Sequence, residues 1–142
     1  MTTRKLGFSA LMTVVYSRLT TALPTYFFYN DVPKSKAMPY HVIGKPTGRK
    51  SEEFSNRDTQ AEENVFQVDS WVDETSGKGD KSIADMMNSI MQALTSSSLT
   101  PTGYNTVMIF QIEYADVIKD EAEVARNIRH GIMRFRVHMS PP

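Results

Sequence analysis

The chain has 142 residues, with 40% hydrophobic and 23% charged residues and 16 basic against 16 acidic side chains. That is enough chain to bury a core without metal or disulfide staples, and with no cysteine it has no thiolate nucleophile or cysteine metal site. A formal charge of zero excludes the overall basic excess through which phosphate neutralisation drives nucleic-acid binding, so any basic patch has to be local.

Hydrophobic periodicity predicts a first helix over residues 4 to 22, with Phe8, Leu11, Met12, Val15, Leu19 and Ala22 on one face, Thr2 or Thr3 as cap, and Pro24 as its stop. Arg4 and Lys5 before an apolar run imitate a signal peptide. The helical pattern continues past Tyr16, Ser17 and Arg18 with no small-residue cleavage site, so a leader is not expected. No apolar run reaches the roughly 20 residues of a membrane span. The aromatic run Tyr26-Phe27-Phe28-Tyr29 has strand propensity, Asn30-Asp31 and Pro33 mark a turn, and a short strand covers Tyr40 to Ile43. Residues 45 to 62 are polar and of mixed sign (Arg49, Lys50, Glu52, Glu53, Arg57), with Phe54 the one large apolar residue. They are expected either as a loop or as the extended arms of a protruding hairpin.

Alternation of Phe66, Val68 and Val72 with Gln67, Asp69 and Trp71 predicts a strand over 64 to 73. After Gly77 and Gly79, Ile83, Met86, Met87, Ile90, Met91 and Leu94 form an apolar stripe that predicts a second helix over 80 to 95, capped by Asp80. The stripe is expected mainly as core, with a face shared with a neighbouring subunit as the alternative. Two long strands close the chain. In one, over 104 to 117, Met108, Phe110, Ile112 and Tyr114 share a face. In the other, over 128 to 139, Met133, Phe135, Val137 and Met139 oppose Arg134, Arg136 and His138. The connection between them is acidic, with Asp120, Glu121 and Glu123. One apolar face per strand and one stripe per helix predict a single α+β domain over residues 1 to 142. It has two layers, an antiparallel-rich sheet with both helices on one face.

No constellation carries catalysis. His41, His130 and His138 have no helical pairing, and the last two lie about 26 Å apart along a strand, so no metal site is expected. The acid pairs Glu52-Glu53, Glu62-Glu63, Asp73-Glu74 and Asp120-Glu121 lie in polar stretches and read as solvated charge. Gly77-Lys78-Gly79 lacks the rest of a phosphate loop, and no nucleophile elbow exists. No enzyme activity and no cofactor are expected. Arg134 and Arg136 are the sharpest polar feature. Cross-strand pairing, with Asp69 and Glu113 as the partners on offer, explains them first; a basic strip facing DNA inside a ring is the functional alternative.

Four stretches carry a resemblance over nearly the whole chain. They are Tyr29-Asn30-Asp31-Val32-Pro33 with Met38-Pro39-Tyr40-His41-Val42-Ile43-Gly44; the strand end Val68-Asp69-Ser70-Trp71; the small and apolar helix after Gly79; and His130-Gly131-Ile132-Met133-Arg134-Phe135-Arg136-Val137. In their order and spacing the chain resembles the tail-completion, or tail-terminator, family of long-tailed bacteriophages. The resemblance implies a structural ring subunit, of six copies in the virion, made in the host cytoplasm. The ring sits at the head-proximal end of the tail, ends tube growth, and meets the tail-tube protein and the head-tail connector, with non-specific contact to passing DNA and none to membrane. The family brings no catalytic residues, and its members vary over the hairpin region. Arg49, Lys50, Glu52, Glu53 and Arg57, with Asp120, Glu121 and Glu123, are the expected subunit or tube interface; Arg134 and Arg136 are the expected lumen or cross-strand face. A head-completion stopper, a tail-tube subunit and a small α+β nucleic-acid-binding module are the alternatives, the last because Trp71 near Arg134 and Arg136 imitates a base-stacking platform.

Overall fold

The computed structural model describes residues 7–23, 26–29, 38–50, 62–73, 80–97, 99, 101–120 and 128–140. Among these residues two helices and five strands follow in the order α1 (Phe8–Ala22), β1 (Tyr26–Tyr29), β2 (Tyr40–Lys50), β3 (Glu62–Asp73), α2 (Lys81–Thr95), β4 (Asn105–Asp120) and β5 (Ile128–Ser140). The strands form one sheet in the order β1-β2-β3-β5-β4. β1 runs parallel to β2, and the other three pairs are antiparallel.

The alternation of β3 and β5 decides which face carries the helices. Phe66 and Val68 of β3, and Met133, Phe135, Val137 and Met139 of β5, join Leu11, Val15 and Leu19 of α1 and Ile83, Met87, Ile90 and Leu94 of α2 in one buried cluster. Phe66 and Phe135 are register partners whose rings stack at 5.3 Å, and both are essentially fully buried. α1 lies over β1, β2 and β3, whereas α2 lies over β3, β5 and β4, and the two helices touch. Arg18 of α1 ties them by donating to the carbonyl oxygens of Ala93 and Ser97, at 3.4 and 2.8 Å, at the C-terminal end of α2. The end of a helix exposes carbonyls with few backbone partners, so a cation there is favoured by both charge and hydrogen bonding; the Ser96 hydroxyl also donates to the Ala93 carbonyl, at 3.1 Å.

Three local expectations are corrected. α1 begins at Phe8 with Gly7 as its N-cap, and the Gly7 N–H donates to Glu62 Oε2 at 2.9 Å; Thr2 and Thr3 lie outside the described residues. Asp80 is the N-cap of α2 but makes no side-chain cap, because its carboxylate is taken by Arg129 Nε at 2.7 Å. β2 does not stop at Ile43. A bulge between Gly44 and Thr47 places one extra residue on β2, and Pro46, which has no N–H to give a ladder, sits in that bulge. Beyond it the pairing resumes as far as Lys50 opposite Glu62, and residues 51–61 lie outside the described residues.

β4 departs furthest from simple alternation. Its pairing with β5 shifts between Thr106 and Met108, between Met108 and Gln111, and between Ile112 and Tyr114. Each shift puts an extra residue on β4 and reverses the face that follows. Ile112 is opposite Phe135 on the helix side, while Tyr114 is opposite Arg134 on the other side. The expected common face for Met108, Phe110, Ile112 and Tyr114 therefore does not exist.

Candidate functional site: the open sheet face and its edges

The face of the sheet away from the helices is built in register rows. Tyr40, Trp71, His130 and Ile118 form one row across β2, β3, β5 and β4; Val42, Asp69, Ile132 and Asp116 form the next; Gly44, Gln67, Arg134 and Tyr114 form a third. The first row is aromatic: Trp71 stacks on His130 at 4.3 Å with planes 13° apart and meets Tyr40 at 5.4 Å.

The polar side chains of these rows hold one another. Asp69, buried, accepts from the Gln67 amide at 3.0 Å on both oxygens and pairs with His130 Nε2 at 2.9 Å. An ionised carboxylate can only accept, so His130 carries its proton on Nε2 in this pair. The Gln67 amide oxygen accepts from the Arg134 guanidinium at 3.1 Å. That guanidinium lies 5.8 Å from the centre of the Tyr114 ring, within cation–π range. Tyr114 Oη donates to Asp116 Oδ2 at 2.9 Å, and the Val117 N–H donates to Asp116 Oδ1 at 2.8 Å. The hydrogen bond to Asp116 pushes the Tyr114 hydroxyl above its ordinary pKa, as expected when the partner already carries negative charge. A connected polar line thus runs from Trp71 in the middle of the sheet to the backbone of edge strand β4.

Arg134 and Arg136 share this face, but their partners differ from those expected. Arg136 Nε meets Glu63 Oε1 at 2.8 Å, and Arg134 rests on Gln67. Asp69 is engaged with His130 instead. The register explains the exchange: Arg136 is opposite Val65 and Arg134 opposite Gln67, which leaves Glu63 diagonal to Arg136 and Asp69 opposite Ile132. Sequence reasoning missed Glu63, Gln67 and His130 as members of the network. Their period-2 spacing along β3 and β5 is visible, but which residues oppose each other is not.

The interface residues expected from the sequence are reached only in part. Arg49 and Lys50 belong to the backbone of β2 and Asp120 to that of β4, at opposite sides of the sheet. Glu52, Glu53, Arg57, Glu121 and Glu123 lie outside the described residues. On the helix side, α2 and β4 leave an open cleft of about 530 Å³ lined by Met87, Met91, Ile112, Val117 and Met133 among others. The α2 stripe is core, as Ile83, Met87, Ile90, Ala93 and Leu94 are buried. Met87 and Met91 also form the floor of that cleft. His41 sits beneath α1 rather than on the open face. Its Nδ1 and Ser70 Oγ are hydrogen-bonded at 2.6 Å, its ring stacks on Phe27 at 4.5 Å, and burial pushes its pKa down to about 4. Among the described residues no group of three or more metal-ligating side chains converges.

The family model for tail completion protein gp17 matches residues 9–140, which takes in both helices and all five strands. The chain belongs to the tail completion protein gp17 family. It is therefore a structural tail-completion protein of the phage virion tail. Two solved structures share the fold. One is a chain from the virion of a native gene transfer agent particle, with TM-score 0.74 and 17% identity over 96% of this chain and 99% of that one. The other is the gp17 protein of bacteriophage SPP1, with TM-score 0.59 and 20% identity over 94% of this chain and 91% of that one. At these identities the likeness is one of fold. No curated protein sequence matches the chain.

Proposed function

We propose that this tail completion protein caps the finished tail tube as a ring of six copies, ends tube growth and joins the tail to the head connector. The observation that carries the reading is the family match across residues 9–140, which leaves no element of the fold outside the shared architecture. In this reading its partners are further copies of itself, the tail-tube protein and the connector, and its place is the head-proximal end of the tail. The stretch from 45 to 62, with Arg49, Lys50, Glu52, Glu53 and Arg57, and the acidic connection with Asp120, Glu121 and Glu123 reach a neighbouring copy or the tube, where complementary charge sets registry. Arg134 and Arg136 act first as cross-strand partners, and their engagement by Gln67 and Glu63 supports that role over a strip that reads DNA.

Electron microscopy of a lysate from phage with an early stop codon in this gene tests the reading. Separate DNA-filled heads and unjoined tails, some overlong, are expected. Normal infectious particles would defeat it. Reversing the charges at Arg49, Lys50, Glu52 and Glu53 together should impair joining while the isolated protein still melts cooperatively; normal assembly by that variant would remove these residues from the interface.

A further inference from the structure

Among the described residues the sheet ends on β1 with the rest of β2 on one side and on β4 on the other. β1 pairs with Tyr40–Ile43 only, so among the described residues β2 from Gly44 to Lys50 has no neighbour on its outer side. Among the described residues β4 pairs only with β5. Its first half is broken by three register shifts, but from Tyr114 to Asp120 every residue has a partner in unbroken register. Bulges deter strand addition, while regular edges invite it. The part of β4 open to a further strand is thus confined to this second half. There Tyr114 and Ile118 are exposed on one side of the edge, and Val117 lines the methionine cleft on the other. A strand laid along β4 would cover apolar surface on both faces.

Charge says what that strand is. β2 carries Lys45, Arg49 and Lys50 and no acid; β3 carries Glu62, Glu63, Asp69 and Asp73 and no cation; β5 carries Arg129, Arg134 and Arg136 and no acid; β4 carries Glu113, Asp116 and Asp120 against Lys119. The sign alternates strand by strand across the sheet, as cross-strand pairing favours. The next strand beyond acidic β4 should be basic. The basic strand with an unfilled outer edge is β2 itself. Because β2, β3, β5 and β4 alternate in direction, β2 of a second copy in the same orientation also continues the antiparallel sense.

Resting on the ring reading above, we infer that the acidic outer edge of β4, over Tyr114–Asp120, packs against the basic β1–β2 edge of a second copy, head to tail. The contact is heterologous and uses two different surfaces of each copy, as a closed ring requires. In the free protein Asp116 occupies the Val117 N–H at this edge, so the edge is capped until a neighbour displaces it.

The test is zero-length carbodiimide cross-linking of tails purified from the phage that encodes the chain, with the linked peptides mapped by mass spectrometry. Within one copy β2 and β4 are three strand spacings apart, about 14 Å, too far for a zero-length bond. Links from Glu113, Asp116 or Asp120 to Lys45 or Lys50 in dimer and higher bands are the expected result. Arg49→Glu with Lys50→Glu should reduce those bands about tenfold or more, and adding Glu113→Lys with Asp120→Lys should restore them. Multimer bands whose links join other surfaces, or tails in which the chain stays monomeric after cross-linking, overturn the edge pairing. The stop-codon lysate reads capping and joining whichever surfaces meet, so failure of the pairing and failure of the ring reading are told apart.

Discussion

Gly131 lies on β5 directly beneath α2, buried and opposite Ser70 and Val117. A Cβ at this position would stand 2.8 Å from Met87 Sδ and 3.1 and 3.2 Å from Ile83 Cγ1 and Cδ1. Carbon contacts are comfortable at about 3.5–4.0 Å. The Met87 sulfur is near the end of a flexible side chain beside an open cleft and can swing away. Ile83 is branched and fully buried, so Gly131→Ala has to push α2 off the sheet by a few tenths of an ångström. Such overpacking costs about 1–3 kcal/mol. The alanine restrains the unfolded chain, which offsets about 0.4–1 kcal/mol. The net loss should be about 1–2 kcal/mol, seen as a fall in Tm of about 3–7 °C for a domain of this size. Thermal melts followed by circular dichroism at one pH measure it. Adding Ile83→Val, which removes the Cδ1 methyl, should cost less in the alanine background than in the parent, with a coupling of about 0.5 kcal/mol or more. An alanine variant that melts at or above the parent, or costs that simply add, would refute the claim that α2 is seated on the bare backbone of Gly131.

Three other outcomes are expected. The pKa of His41 is about 4 in the folded protein against an ordinary 6.5, so it contributes stability above pH 6.5 that is lost as pH falls from 6.5 towards 4. The loss should be on the order of 3 kcal/mol, and His41→Phe should flatten urea melts compared over that window. Arg18→Ala removes the two bonds that Arg18 Nη1 makes from α1 to the end of α2 and should cost about 1–3 kcal/mol; Arg18→Lys, which keeps the charge and a multi-donor nitrogen but on a differently shaped side chain, should recover part of it in the same melts. Asp69→Ala leaves the Gln67 amide and His130 without their acceptor on a face where Asp69 and Gln67 are buried, and it should destabilise by about 1–3 kcal/mol, whereas Asp116→Ala, at the exposed edge, should change the melt little.

The sequence made the buried layer legible because β3, β5 and α2 each keep one period without interruption. Phe66 and Val68, the run Met133-Phe135-Val137-Met139, and the stripe from Ile83 to Leu94 all fall in the core as their spacing requires. It failed on β4 because each extra residue reverses the alternation, and nothing in Met108-Ile109-Phe110-Gln111-Ile112 marks where the bulges fall. It shortened β2 because Pro46 and Gly48 usually end a strand; only the bulge at Gly44–Thr47 accommodates them. The arginines of β5 were visible, but their partners were not. Pairing depends on register, and register is fixed by packing between strands far apart in the chain. The family resemblance rested on the same short strands and turns and extends across the residues that the family model matches.

Trp71 is the chain's one tryptophan, and it stands on the open face, stacked on His130, rather than in the core. The intrinsic fluorescence of this protein therefore reports on a surface. Anything that comes to lie over the rows around Tyr40, Asp69 and Ile118 would change the emission of a native indole, and its arrival could be timed optically without attaching a dye.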